Sequence, residues 1–377
     1  MKKIIIAPDS FKGSLSSEKI CTIILNEINE FYPECEVDCI PMADGGEGTV
    51  NCLTTAMNGE LAQVLVNDPY YDKVSANIGL IRERNIGVIE VASCAGHSLV
   101  EGRKNPMLTT TYGVGELILA ATELGCKEII LGLGGACTND AGTGAASALG
   151  VDFYDKKGNI FVPTGGTLKK VDKIDISNVN EKIKNVKITT ICDVDNVMFG
   201  RTGAAYVFAP QKGATDEMVQ ELDEGLKWIA EAIKRDIGID VSNIKGGGAS
   251  GGMGAGMIAF LKSNLKKGID TILDEVKFND RMKGSDLIIT GEGRVDQQSL
   301  GGKVIIGISE RAKKLNVPVL VLAGGIEQCE EIYNHGISAV FPINRFPESY
   351  SVSKKYSEIN VKNTIRDIFR FTKALGI

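Results

Sequence analysis

The sequence predicts an α/β fold in two domains, on three observations. Short aliphatic runs end in segments rich in Gly, Asp or Asn, amphipathic stretches fill the intervals, and the chain has 377 residues. That length exceeds what one hydrophobic core usually supports. Strand-like runs alternating with helices imply βαβ crossovers and a mostly parallel sheet. A composition that is 43% apolar and only 6% aromatic suits strands buried on both faces.

The apolar run at residues 4–7 is too short for a signal peptide or a membrane span, and reads as the first strand. Serines at 14, 16 and 17 followed by Glu18 predict a capped helix over residues 18–31. Further strands are expected at residues 37–40, 129–131, 188–191, 287–290 and 319–322, and further helices at 112–124, 217–233, 303–315 and 363–375. The first strand and helix need sheet neighbours, and the most regular alternation lies at about residues 285–342. The expectation is therefore a discontinuous Rossmann-like parallel-sheet domain from residues 1–69 and 266–377. An inserted α/β domain spans residues 70–265, with the active site in the cleft between the two.

A net charge of −6 argues against a general nucleic-acid binder, whose phosphate contacts need a Lys and Arg surplus. Nine cysteines, an odd number without a CxxC pair, argue against a disulfide framework or zinc ribbon and for reduced thiols in a cytoplasmic enzyme. Only His97 and His335 are present, which removes most Ser/His, Cys/His and His-ligated metal mechanisms. Chemistry must rest on Asp, Glu, Lys, hydroxyls and backbone amides. Cys94, Cys137 and His97 read as buried or incidental.

Several loops carry candidate chemistry. Asp9, Ser10, Phe11 and Lys12 precede a helix N-terminus, where an anion such as a substrate carboxylate is well placed. Asp44, Gly45, Gly46 and Glu47 form either an acceptor set for a sugar-like hydroxyl or metal, or a plain acidic turn. After the strand at 129–131, the amides of Gly134 and Gly135 with Thr138 and Asn139 can donate to phosphate, and Asp140 either holds Mg2+ or caps the following helix. Asp193 and Asp195 end another strand, with Lys212 nearby in sequence. They offer a base or orienting carboxylate, a Mg2+ ligand and a cation for phosphoryl transfer, or else a solvated turn. Gly291, Glu292 and Gly293 are followed by Asp296, a second candidate catalytic carboxylate, and by Lys303, a candidate phosphate ligand. The stretch at 246–256 contains a formal G-x-G-x-x-G but lacks a convincing preceding strand, so it reads as a phosphate-cradling segment or a hinge rather than a dinucleotide site. No G-x-x-x-x-G-K-[ST] occurs.

Taken in order, the blocks APDSFKGSLS, PMADGGEGT, TTTYGVGELI, GLGGACTNDAGTGAASALG, CDVDNVMFGRTGAAYVFAPQKGA, GGGASGGMGAG and DLIITGEGRVDQQSLGGK resemble the glycerate kinase family of the bacterial glycerate 2-kinase type. The resemblance runs from residue 7 to about 303. The chain departs from it at Ala136-Cys137 and Val197-Met198, without loss of a charged group. It implies a two-domain α/β enzyme that uses ATP and Mg2+ to phosphorylate D-glycerate, usually to 2-phosphoglycerate. On this reading Lys12, Asp193 and Asp296 are the catalytic candidates, and residues 9–11 and 44–47 bind substrate. Phosphate or nucleotide falls to Gly134, Gly135, Thr138, Asn139, Gly291, Glu292, Gly293, Lys212 and Lys303, and metal to Asp140 and Asp195. A kinase for another small sugar acid, or a non-catalytic sensor of a phosphorylated metabolite, are the alternatives.

Overall fold

The computed structural model describes residues 1–301, 303–327 and 330–376. Its strands, in chain order, are β1 (Lys3–Ile6), β2 (Glu36–Cys39), β3 (Glu60–Asn67), β4 (Lys73–Ile81), β5 (Ile86–Glu90), β6 (Glu128–Gly132), β7 (Asp152–Tyr154), β8 (Lys173–Asp175), β9 (Lys187–Cys192), β10 (Asn264–Lys267), β11 (Leu287–Val295), β12 (Val319–Ile326) and β13 (Ile337–Pro342). The chain forms two compact units, one of Met1–Asp44, Thr55–Asn58 and Ile269–Ile377, the other of Gly45–Thr54 and Gly59–Gly268.

In the first unit five parallel strands lie in the order β13-β12-β11-β1-β2. Counted along this unit the order is 2-1-3-4-5, a doubly wound sheet whose direction of winding reverses between β1 and β11. Ile4, Ile6, Ile289, Leu320 and Leu322 pack with the buried residues of helices Ser17–Phe31 and Ser357–Ala374. Ile5, Ile288, Val319 and Val321, alternating with them, are equally buried, as strands covered on both faces require. Ser16 Oγ accepts from Lys19 N at 3.2 Å and starts the first helix where the serines predicted it. The last helix begins at Ser357 rather than 363, because Ser357 is itself buried and its Oγ accepts from Ser14 Oγ at 2.6 Å. β11 also outruns its prediction. Paired with β12 through Val295↔Ile326, it carries Gly291, Glu292 and Gly293 within the strand rather than in a loop.

The second unit holds a six-stranded sheet, β10-β9-β6-β5-β4-β3, in which the first four strands are parallel and the β4–β3 hairpin is antiparallel. The boundary read from sequence kept residues 1–69 with the C-terminal segment, whereas Gly45–Thr54 and the chain from Gly59 onward fall in this unit. Here β3 pairs with β4 along its whole length, from Glu60↔Leu80 to Asn67↔Lys73, and so belongs to this unit. Helix Asp216–Asp236, capped by Thr215 and running three residues past its prediction, closes a core with Phe153, Leu168 and Phe260. Among the described residues the cysteines are free; Cys329 lies outside those residues. No helix among them is long and apolar enough to cross a membrane.

Candidate active site

In the first unit the C-terminal ends of β1, β11 and β12 open onto a cavity of about 600 Å3. Its lining includes Asp9, Ser10, Phe11, Lys12, Asp44, Glu292, Gly293 and Lys303. These eight residues, singled out from separate parts of the sequence, meet where β1 and β11 adjoin at the switch point of the sheet. Close backbone packing makes the junction: a Cβ on Gly324 would stand 2.6 Å from Gly293 O, so only glycine allows β12 to lie this near. Arg294, Gly324, Gly325, Ile326, Asn344 and Tyr350 complete much of the wall and were not singled out as site residues.

The cavity concentrates charge. Asp9 is 7% exposed and accepts from Ser10 N at 2.7 Å. Burial, then the neighbouring Asp44 charge, pushes its carboxyl up to about 7. Lys12 Nζ lies 2.5 Å from Asp44 Oδ2. Glu292, also raised by burial, accepts from Ser299 Oγ and has Lys303 Nζ 4.0 Å from Oε1. Asp296 does not line the cavity. It accepts from Ser299 N at 3.3 Å and pairs with Arg294 at 3.5 Å, so it anchors the turn at Gln297–Gly301.

The second unit carries its own cluster. Gly134 N donates to Gly45 O at 3.0 Å, and a Cβ on Gly134 would stand 2.4 Å from Gly46 Cα, so three of the predicted glycines form one backbone contact. Glu90, missed by the sequence reading, is buried and accepts from Val50 N at 3.1 Å, holding the start of helix Thr49–Ala56. Glu47 is exposed. Beyond Gly135, whose φ is +78°, Thr138 and Asn139 are fully buried. Among the described residues Thr138 Oγ1 and both amide atoms of Asn139 have no hydrogen-bond partner, a rare condition for buried polar groups. Lys212 is buried beside them, its Nζ donating to Thr138 O at 2.6 Å, and burial holds its ammonium down to about 8. His97, placed by its N–H bond to Gly135 O, is held below its usual range by burial and by Lys212 and Lys104. Burial pushes the Cys137 thiol up to about 12, so it is no nucleophile near neutrality.

One expectation changes here. Asp140 is fully buried, and its carboxylate accepts from Thr111 N and Oγ1 at 2.8 Å and from Gly142 N and Gly144 N at 3.2 and 3.3 Å. It caps helix Thr143–Ala148 and offers no open face to a metal. The sequence leaves the glycine-rich stretch at 246–256 as a phosphate-cradling segment or a hinge. It is a turn running into helix Ala249–Leu261, which is kinked where Ser250, Gly251 and Gly252 are all left-handed. A Cβ on Gly251 would stand 2.2 Å from Thr138 O, and one on Gly256 1.9 Å from Ala141 O. The glycines let this helix press against the loop at 138–141. Asp193, at the end of β9, accepts from Gly268 N at 2.8 Å, and Asp195 is exposed.

The model of the glycerate kinase family matches residues 4–373. The chain belongs to the glycerate kinase family. It is 43% identical to a glycerate kinase of Bacillus cereus over 97% of both chains, and 41% identical to the glycerate 2-kinase of Escherichia coli K12 over 90% of both. Its fold matches the crystal structure of a protein assigned as glycerate kinase 2 from Salmonella typhimurium LT2 with a TM-score of 0.88. That match has 39% identity and covers 99% of this chain and 98% of the other. The mixed α/β architecture with parallel sheets is thus that of the family, and the chain is an enzyme of this family.

Proposed function

We propose that this enzyme transfers the γ-phosphoryl group of ATP to D-glycerate and releases 2-phosphoglycerate. The observation that carries the reading is the convergence of Asp9, Lys12, Asp44, Glu292 and Lys303 on one cavity at the switch point of a doubly wound sheet. Phosphoryl transfer is largely positioning and electrostatics. Lys12 offers a cation to the glycerate carboxylate, and Asp44 accepts from its hydroxyls. Lys303, at the N-terminus of helix Val304–Lys313, suits a phosphate oxygen. In the second unit, Lys212 with the unpartnered Thr138 hydroxyl and Asn139 amide supplies donors for a phosphate. Asp193 is the carboxylate proposed to orient or deprotonate the attacking hydroxyl, a role the turn-anchoring Asp296 fits less well.

Among the described residues no three His, Cys, Asp or Glu side chains gather into a metal-binding group. Mg2+ asks for less, one or two carboxylates with phosphates and water completing its shell. Asp9 and Asp44, whose charges oppose each other at the cavity, fit that need, and exposed Asp195 could serve in the second unit. Bound with the nucleotide, Mg2+ neutralises phosphate charge. The acidic chain with free cysteines suits the cytoplasm.

Phosphorus NMR of the product formed from ATP, Mg2+ and D-glycerate tests the reading. The expected product is 2-phosphoglycerate. A 3-phospho product overturns the regiochemistry, and tight phosphoglycerate binding without ADP release favours the sensor reading instead. If Asp193→Asn keeps near-normal turnover while Asp296→Asn is inactive, the two carboxylates exchange roles.

A further inference from the structure

We infer that the cavity of the first unit also takes the adenine nucleoside of the phosphoryl donor, with Tyr350 as its stacking surface and Asn344 as a reader of the base. The inference rests on the kinase reading above and deepens it.

Size comes first. A cavity of about 600 Å3 lies in the middle of the range that buries drug-sized ligands, and a three-carbon acid fills only a small part of it. The charged residues assigned to glycerate and phosphate account for one portion of the wall. The remainder adds another chemistry: beside the charged Arg294, Glu327, Glu348 and Lys354, the last with its Nζ 5.8 Å from the Tyr350 ring centroid, Ile326, Ile343, Asn344 and Tyr350 present apolar or aromatic surface with a neutral amide. That combination suits a flat heterocycle, which needs apolar contact on its faces and a few polar groups at its edge. The place agrees, since doubly wound sheets bind their ligands beyond the carboxyl ends of the strands at the switch point.

Tyr350 is the specific feature. It is 59% exposed, yet its Oη donates to Lys12 O at 2.6 Å, which fixes a large aromatic ring at the cavity wall before any ligand arrives. Gly13 makes room for it, because a Cβ there would stand 2.8 Å from Tyr350 Oη. A ring held in this way gives up little conformational freedom on binding. Asn344 is oriented too. Its Nδ2 donates to Gly324 O at 2.5 Å, which leaves Oδ1 as an acceptor, the partner an exocyclic amine requires. Gly325, where an added Cβ would meet nothing within 4 Å, leaves backbone open for close approach.

The test measures nucleotide binding apart from turnover. Calorimetric titration with ADP, without glycerate, should show Tyr350→Ala weakening affinity by roughly tenfold, the usual loss when a base–aromatic stack is removed. Tyr350→Phe keeps the ring and loses the bond to Lys12, and should lose no more than about threefold. The D-glycerate KM should move less than about twofold in the alanine variant. Photolabelling of the unaltered enzyme with 8-azido-ADP should modify residues 324–327 or 343–357. The proposal is overturned if label falls in residues 132–142 or 245–256, if both Tyr350 variants lose equally, or if the glycerate KM rises while ADP affinity holds. An enzyme that binds ADP as described but does not phosphorylate glycerate would sink the choice of acceptor and leave the nucleoside site standing.

Discussion

Lys12 Nζ stands 2.5 Å from Asp44 Oδ2, yet the lysine side chain is 70% exposed. An ion pair this open to water contributes at most about 1 kcal/mol to stability. Its placement at the cavity therefore matters for binding. Lys12→Met should leave the melting temperature within about 2 °C of the parent. The KM for D-glycerate should rise by about tenfold or more, in line with loss of a charge-assisted bond to a carboxylate. Thermal melts with steady-state kinetics check this; a large fall in melting temperature with unchanged kinetics would make the pair structural.

Asp9 gives a pH prediction of definite sign. Its folded carboxyl is raised from 3.8 to about 7, so between those values the native state holds a proton that the unfolded chain releases. Stability attributable to this group is therefore present at low pH and lost as pH climbs through the window, reaching on the order of a few kcal/mol above it. Asp9→Asn removes the ionisation. Its stability relative to the parent should rise steadily from about pH 4 to 7 and then level off. Urea unfolding across pH reads this directly, and a difference independent of pH would contradict the assignment.

How far the sequence carries can be argued from these same residues. Ile4, Ile129, Ile188, Leu287 and Val319 sit in strands because aliphatic runs closed by glycine and acid leave little choice, and these strands pair within the two main sheets. β3 and β4 escaped notice because an antiparallel hairpin with one face open, exposing Leu61 and Leu65, lacks the dense apolar run of a buried strand. Cavity residues next to acid or glycine were legible, since their types name a chemistry. Tyr350 and Asn344 were not, because an isolated aromatic or amide reads the same on a surface as in a site. Asp140 shows the opposite difficulty. Its neighbours suggested metal or cap equally, and only the donors arriving from Thr111, remote in sequence, decide for the cap.

The glycines separate two reasons for being glycine. Gly251 has φ +67° and would drive a Cβ to 2.2 Å from Thr138 O. Gly251→Ala should therefore destabilise the protein by on the order of 3 kcal/mol, from backbone strain and overpacking together. Gly325 has neither restriction. Gly325→Ala should fold with stability within about 0.5 kcal/mol of the parent, and its methyl group should instead lower affinity for ADP. Chemical denaturation of both variants beside an ADP titration distinguishes them; equal losses of stability would refute the contrast.

Asp140 and Asp195 were both expected to hold metal, and the structure predicts that they fail differently when neutralised. The Asp140 carboxylate is enclosed by hydrogen-bond donors from Thr111, Gly142 and Gly144. Asp140→Asn replaces one acceptor oxygen by a donor facing other donors, which leaves buried N–H groups unsatisfied at a cost of about 2 kcal/mol or more. The melting temperature should fall by several degrees, and the Mg2+ concentration for half-maximal activity should not change in whatever activity remains. Asp195 is exposed at the end of β9, so Asp195→Asn should leave the melting temperature unchanged. As the proposed metal contact of the second unit, its loss should raise the half-maximal Mg2+ concentration. Magnesium titrations of both variants decide the matter, because a shifted Mg2+ requirement in Asp140→Asn with unchanged stability would restore it as a ligand and remove it as a cap.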